Sequence, residues 1–185
     1  MRVSGTNCMC SARQVKSIVD WLIITPFCRL VAVKILVPDC CFTTYVLNHT
    51  MEPTEANKLV VQAYVKAFNQ GDMQALRTIF APDALVYGVL GWGSMEQVIP
   101  VWQELHNAFN IQLEVESIIA EGDEVAVRYT ERGQSIGSFR GSAITDKTYE
   151  IVAMEHFVVR DGQVQRRWGA RDSAAQFRQM GLSLG

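Results

Sequence analysis

The apolar residues change their period once along the chain, at Ile111, and that change constrains the fold more than any motif does. Before it, Leu59, Val60, Ala63, Tyr64, Ala67 and Phe68 recur at the spacing of one helix face. After it, Leu113 and Val115, then Val125, Val127 and Tyr129, then Tyr149, Ile151, Phe157 and Val159 fall on the alternate positions of half-buried strands. Helices first and strands afterwards predict an α+β domain, with helices on one face of a curved antiparallel sheet. A curved sheet capped at one end encloses a cavity, and small-molecule sites favour such apolar hollows.

Local signals divide this frame. Thr54 is a candidate N-cap for a first helix running to Gly71, and Asp72 for a short second one carrying Met73, Leu76, Ile79 and Phe80. Ala81-Pro-Asp should end that helix. Ala84 to Val89 reads as a strand, followed by a glycine-loosened loop around Trp92 placed to border a pocket. Ser94 and Gln97 form the capping box of a third helix with Val98, Val101, Trp102, Leu105 and Phe109 on one side, and Pro100 is expected to kink it. Turn signals at Gly122, Arg132-Gly133, Thr145-Asp-Lys and Asp161-Gly162 cut the second half into about four strands of a meander. A last amphipathic helix is expected over Ser173 to Met180.

Composition separates residues 1–50 from 51–185. All five cysteines (Cys8, Cys10, Cys28, Cys40 and Cys41) precede Met51, whereas 17 of the 19 acidic residues follow it. The domain at 51–185 therefore has no disulfide framework, thiolate nucleophile or cysteine metal site, which suits a reducing cytoplasm. Residues 1–50 show neither sustained helical period nor strand alternation, and Met51-Glu-Pro-Thr reads as a natural beginning. They are expected to be an extension outside the domain, from an upstream start or as a basic, acid-poor targeting segment. Trp21 to Val33 is apolar but too short for a membrane span, and Pro26 and Arg29 interrupt it.

The near balance of 17 basic and 19 acidic residues, without runs, argues against nucleic acid or an anionic membrane as a partner. Phosphate-binding glycine loops, H-E-x-x-H and G-x-S-x-G are missing. Three histidines, His49, His106 and His156, are too few for a histidine-rich metal centre.

Candidate chemistry therefore falls on the hairpin around Asp161-Gly162. With a two-residue loop, Glu155 sits opposite Trp168 and shares a face with Asp172. With a three-residue loop the pairing slips by one, and His156 joins Trp168 and Asp172 instead. In either register an acid and an indole share one face, where desolvation would raise a carboxyl toward a value useful for proton transfer. Asp172 has a second reading, because it immediately precedes Ser173-Ala-Ala and could serve only as an N-cap. His156 is either a pocket base or an outward strand residue. Tyr64, Trp92, Trp102 and Phe109 belong to the core or to the pocket wall. Neighbours in a strand point to opposite faces, so Arg166-Arg167 should be half exposed.

Taken in order, Glu55-Ala-Asn-Lys, Ala67-Phe-Asn-Gln-Gly-Asp, Ile119-Ala-Glu-Gly-Asp-Glu-Val-Ala-Val-Arg-Tyr-Thr, Gly137-Ser-Phe-Arg-Gly, Asp161-Gly-Gln-Val and Trp168-Gly-Ala-Arg-Asp resemble the SnoaL-like polyketide cyclases of the nuclear-transport-factor-like superfamily. The resemblance spans residues 54–184. It implies a cone-shaped α+β barrel, a homodimer formed through the sheet, an enclosed apolar pocket and no cofactor. Such cyclases close a ring by intramolecular aldol condensation, and the aspartate of their Trp-x-x-x-Asp pattern, here Asp172, is the general acid/base. His156, Tyr87 and Trp168 would then orient an apolar carbonyl substrate. Two alternatives stand beside this cyclase, lyase or isomerase: a non-catalytic ligand-binding or dimerisation domain, and an epoxide hydrolase. The last needs a second carboxylate with an arginine between the two, for which Glu155 is the candidate.

Overall fold

The computed structural model describes residues 24–25, 28–36, 42–49, 51–88 and 90–182. The chain divides into two compact units with the boundary between Met51 and Glu52. In the first, β1 (Ile24–Thr25), β2 (Cys28–Leu36) and β3 (Phe42–His49) form an antiparallel sheet that the residue pattern of 1–50 does not announce. Cys8, Cys10, Cys40 and Cys41, and most of the stretch read as a targeting segment, lie outside the described residues.

The second unit runs α1 (Pro53–Gln70), α2 (Met73–Ile79), β4 (Phe80–Gly88), β5 (Gly91–Ser94), α3 (Met95–Phe109), β6 (Gln112–Glu121), β7 (Glu124–Gln134), β8 (Thr148–Arg160), β9 (Gln163–Arg171) and α4 (Ser173–Met180). Its six strands lie in the order β5-β4-β9-β8-β7-β6, and all pairs are antiparallel except β4 with β9. This is the α+β arrangement that the change of period predicts.

Most local signals hold. Asp72 accepts from the Ala75 amide at 2.9 Å, Ser94 and Gln97 complete the capping box, and α4 occupies the residues expected. Five details differ. Helix α1 opens at Pro53, one residue before Thr54, because a proline at the first helical position forfeits no bond. Ala81-Pro-Asp ends α2 but continues as strand within β4. Trp92 lies in β5 rather than in a loop, paired with Tyr87. Arg132-Gly133 belongs to β7, and the link to β8 is the longer segment 135–147. Helix α3 runs without a break across Pro100.

The β8–β9 hairpin combines the two registers open in the sequence. Asp161 and Gly162 form a two-residue loop with φ of 51° and 74°, the left-handed pair of a type I′ turn. A bulge after Val159–Val164 then inserts Gln165, so that Val158 faces Arg166 and His156 faces Trp168. The bulge therefore decides which residues point inward.

Between the sheet and the helices the interior is filled by rings. Tyr64 of α1 meets Phe68, Phe80, Trp102 and Phe157 at centroid distances of 5.2–6.0 Å, mostly edge to face. These side chains belong to the buried core between the sheet and the helices.

Candidate functional site

Strand parity separates the expected site residues into two groups. His156 and Trp168 are directly opposed on the outer sheet face, with ring centroids 5.4 Å apart. Trp92 stands 5.5 Å from Trp168 and 5.3 Å from Tyr87, which extends the aromatic row across β5, β4, β9 and β8. His156 Nε2 lies 2.6 Å from Glu124 Oε2, on a side chain nearly half exposed. His156 is thus a surface residue rather than a pocket base, and Tyr87, Trp92 and Trp168 line no interior pocket.

Asp172 takes the second of its two readings. It is exposed, and its Oδ1 accepts the Ala175 amide at 2.8 Å as the N-cap of α4. The reason is local: β9 ends at Arg171, the helix starts at Ser173, and an acceptor between them satisfies a first-turn amide. The carboxylate that the resemblance makes catalytic is therefore held outside the interior.

Tyr64, Trp102 and Glu155 do face inward, and Glu155 leads to a buried charged network. Its side chain is fully buried and ion-paired with the Arg167 guanidinium, itself 4% exposed. The Tyr64 and Tyr129 hydroxyls donate to the two Glu155 oxygens at 3.5 Å. From the same face of β9, four residues beyond Arg167, Arg171 Nη2 reaches Glu155 Oε1 at 3.4 Å while its Nη1 stands 3.3 Å from Oε2 of Glu131. Glu131 is equally buried, and its Oε1 accepts the Tyr149 hydroxyl at 2.9 Å. One arginine thus lies between two carboxylates, as shown by the 3.3 and 3.4 Å contacts.

The two glutamates differ in how fully they are compensated. Glu155 has Arg167, a share of Arg171 and two phenols. Glu131 has a share of Arg171 and Tyr149, and its Oε2 has no hydrogen-bond partner among the described residues. Burial consequently pushes the Glu131 carboxyl above its ordinary range; Arg171 and the Tyr149 hydrogen bond oppose this, and the charge of Glu155 adds to it. Burial, then the neighbouring Glu131, raises Tyr149; burial, then Glu155, raises Tyr129. Burial raises Tyr64 as well. All three phenols are neutral donors.

Glu131, Arg167, Arg171 and Tyr149 were not among the candidates read from the sequence, yet a signal for them exists. Val125, Val127 and Tyr129 alternate inward, and the next inward position is Glu131. On β8, Ile151, Ala153 and Phe157 do the same around Glu155. A charged residue in register with a buried stripe marks an interior ion pair, because an unpaired one would be too costly there.

A cavity of about 520 Å³ opens beside the end of β7 and the start of β8. Asn110, Gln112, Arg132, Gln134, Glu150 and Gln179 line it, and Tyr149 forms part of its wall. Among the described residues, no three His, Cys, Asp or Glu side chains are grouped so as to hold a metal ion, and no helix is long and apolar enough to cross a membrane.

No curated protein matches the sequence. Among solved structures, IdmH from Streptomyces antibioticus, a candidate polyketide cyclase, is 27% identical with a TM-score of 0.61, over 68% of this chain and 99% of that one. AclR from Streptomyces galilaeus, a candidate hydroxylase, is 26% identical with a TM-score of 0.64, over 69% of this chain and 82% of that one. An LEH-like epoxide hydrolase from M. tuberculosis shares the fold at a TM-score of 0.57 and 14% identity, over 70% of this chain and 92% of that one. Residues 58–180 match the sequence profile of the SnoaL-like polyketide cyclases, and the chain belongs to that family.

Proposed function

We propose that this chain is a cofactor-independent acid/base catalyst, a cyclase, lyase or isomerase of an apolar carbonyl compound of the polyketide kind, with Glu131 in the role that the resemblance gives Asp172. The observation that carries this reading is the desolvated Glu131 carboxyl, with one oxygen free of hydrogen bonds and a guanidinium 3.3 Å away. A carboxyl raised by burial can take a proton from the carbon beside a carbonyl near neutrality. Arg171 stabilises the resulting enolate oxygen, and the Tyr149 hydroxyl is a second donor to that place. When the enolate carbon attacks a second carbonyl of the same molecule, the new alkoxide takes the proton back from Glu131. Tyr149 is both a wall of the cavity and a donor to Glu131, so its displacement admits the substrate. The family and the likeness to IdmH support this reaction class.

A second reading is favoured by Arg171 lying between Glu131 and Glu155. One carboxylate takes a proton from water as the water oxygen attacks an epoxide carbon; the other, protonated, gives its proton to the oxygen released as the C–O bond breaks. A turnover screen of apolar β-dicarbonyl esters and of apolar epoxides with the native chain tests both. Products of the first class support the cyclase reading and diols the second; binding without product from either class contradicts both and leaves a ligand-binding domain.

The same proposal includes a homodimer through the sheet. Its support is the outer aromatic row with Val152 and Met154 beside it, each more than half exposed. A contiguous apolar strip on a sheet face is the kind of surface that association covers.

A further inference from the structure

The interior holds two glutamates and two arginines, but the arginines are not divided evenly. Arg171 is shared between Glu131 and Glu155 at 3.3 and 3.4 Å. Arg167 contacts Glu155, and its guanidinium carbon lies 5.5 Å from the centre of the Trp102 ring. We propose that Arg167 is a positioning residue that holds Glu155 as the fixed carboxylate of the network, so that the exchangeable proton resides on the Glu131 and Tyr149 side. For its catalytic meaning the inference rests on the acid/base reading above.

The groups facing Glu131 from every neighbouring element agree with this division. Arg171 and, farther off, Arg167 face it from β9, Tyr149 and Glu155 from β8, and the buried Gln176 of α4 lies near Tyr149. Tyr64 from α1 and Tyr129 from β7 donate to Glu155 instead. A carboxylate that accepts from an arginine and two phenols is far better stabilised than one with a shared guanidinium and a single phenol. A proton added to the network therefore goes to Glu131.

Gly169 makes the arrangement possible. It pairs with Glu155 across the strands, and a Cβ built there would lie 2.7 Å from both terminal nitrogens of Arg167 and 2.8 Å from its Cζ. The guanidinium occupies the space a side chain would need. Gly169→Ala should therefore push Arg167 off Glu155 while leaving its charge in the protein, and the displaced atoms are the end of a flexible side chain rather than backbone.

The test is a pH titration of protein labelled with ¹³C at the glutamate side-chain carboxyls, read by NMR and assigned with Glu131→Gln and Glu155→Gln. In the native chain, the carboxyl that takes up its proton at a higher pH than an ordinary glutamate should vanish in Glu131→Gln and persist in Glu155→Gln. Arg167→Lys should keep that assignment, because the charge remains opposite Glu155. Gly169→Ala should reverse it in part, producing a protonated carboxyl that Glu155→Gln removes. A native signal that Glu155→Gln abolishes, or a Gly169→Ala spectrum with the native assignment, overturns the inference. No turnover enters the measurement, so a proton on Glu131 in a protein without activity would refute the acid/base reading and leave this one standing.

Discussion

Tyr149 donates its phenolic hydrogen to Oε1 of Glu131 at 2.9 Å, and the same tyrosine is among the residues that line the open cavity. The hydrogen bond favours the ionised carboxyl and so opposes the rise caused by burial. Tyr149→Phe removes it. The variant should lose roughly 1–3 kcal/mol of stability, and its Glu131 should protonate at a still higher pH than in the native chain. Urea denaturation measures the first effect and a carboxyl titration the second.

Glu131 also makes stability depend on pH in a defined direction. Its folded value lies above the unfolded one of about 4.3, so the folded state binds the proton more tightly. That contribution is complete below the unfolded value and is lost as pH rises through the folded one. Denaturation midpoints of the native chain should therefore carry a component that falls as pH rises across this interval. Glu131→Gln, which mimics the protonated form, should lack it. A parallel pH dependence in the two proteins would mean that Glu131 titrates as an ordinary surface acid.

Asp172 should behave as a structural residue. Asp172→Ala removes the 2.8 Å acceptor for the Ala175 amide and should cost about 1 kcal/mol, while Asp172→Asn retains a capping oxygen and should cost less. Thermal melts of the two variants compare these costs.

The outer aromatic row gives a prediction about assembly. Trp168 is central to it, against His156 on one side and Trp92 on the other. Trp168→Glu places a charge in the proposed interface and should convert a dimer into a monomer by light scattering coupled to size exclusion. Its fold should persist, because the side chain is on the solvent side of the sheet. A native chain that elutes as a monomer would remove the dimer from the account.

The parts of this fold that are legible in the sequence are those fixed by near neighbours. Helix α4, the Ser94–Gln97 capping box and the Asp161-Gly162 turn depend on a few consecutive residues, and they form where the pattern places them. The parallel pairing of β4 with β9 joins segments some eighty residues apart, and no local signal specifies it. The division of the candidate residues between the two sheet faces is hidden for a related reason. One bulged residue, Gln165, shifts the pairing of β8 with β9, so Trp168 meets His156 outside while Glu155 faces Gly169 within. Glu155 was legible as a candidate, whereas Glu131 was hidden by its neighbours Thr130 and Arg132, which make the segment look solvated until the inward stripe from Val125 is extended.

In the proposed reaction, proton transfer belongs to the buried Glu131 and not to the aspartate of the Trp-x-x-x-Asp pattern. The most direct measurement is kcat/KM of Glu131→Gln and Asp172→Asn beside the native chain, on whichever carbonyl or epoxide compound the native chain turns over. A loss of roughly 10²-fold or more is expected for Glu131→Gln, the scale of a missing general acid/base, and a near-native value for Asp172→Asn. A folded Glu131→Gln with native turnover, or an inactive Asp172→Asn, would contradict that assignment.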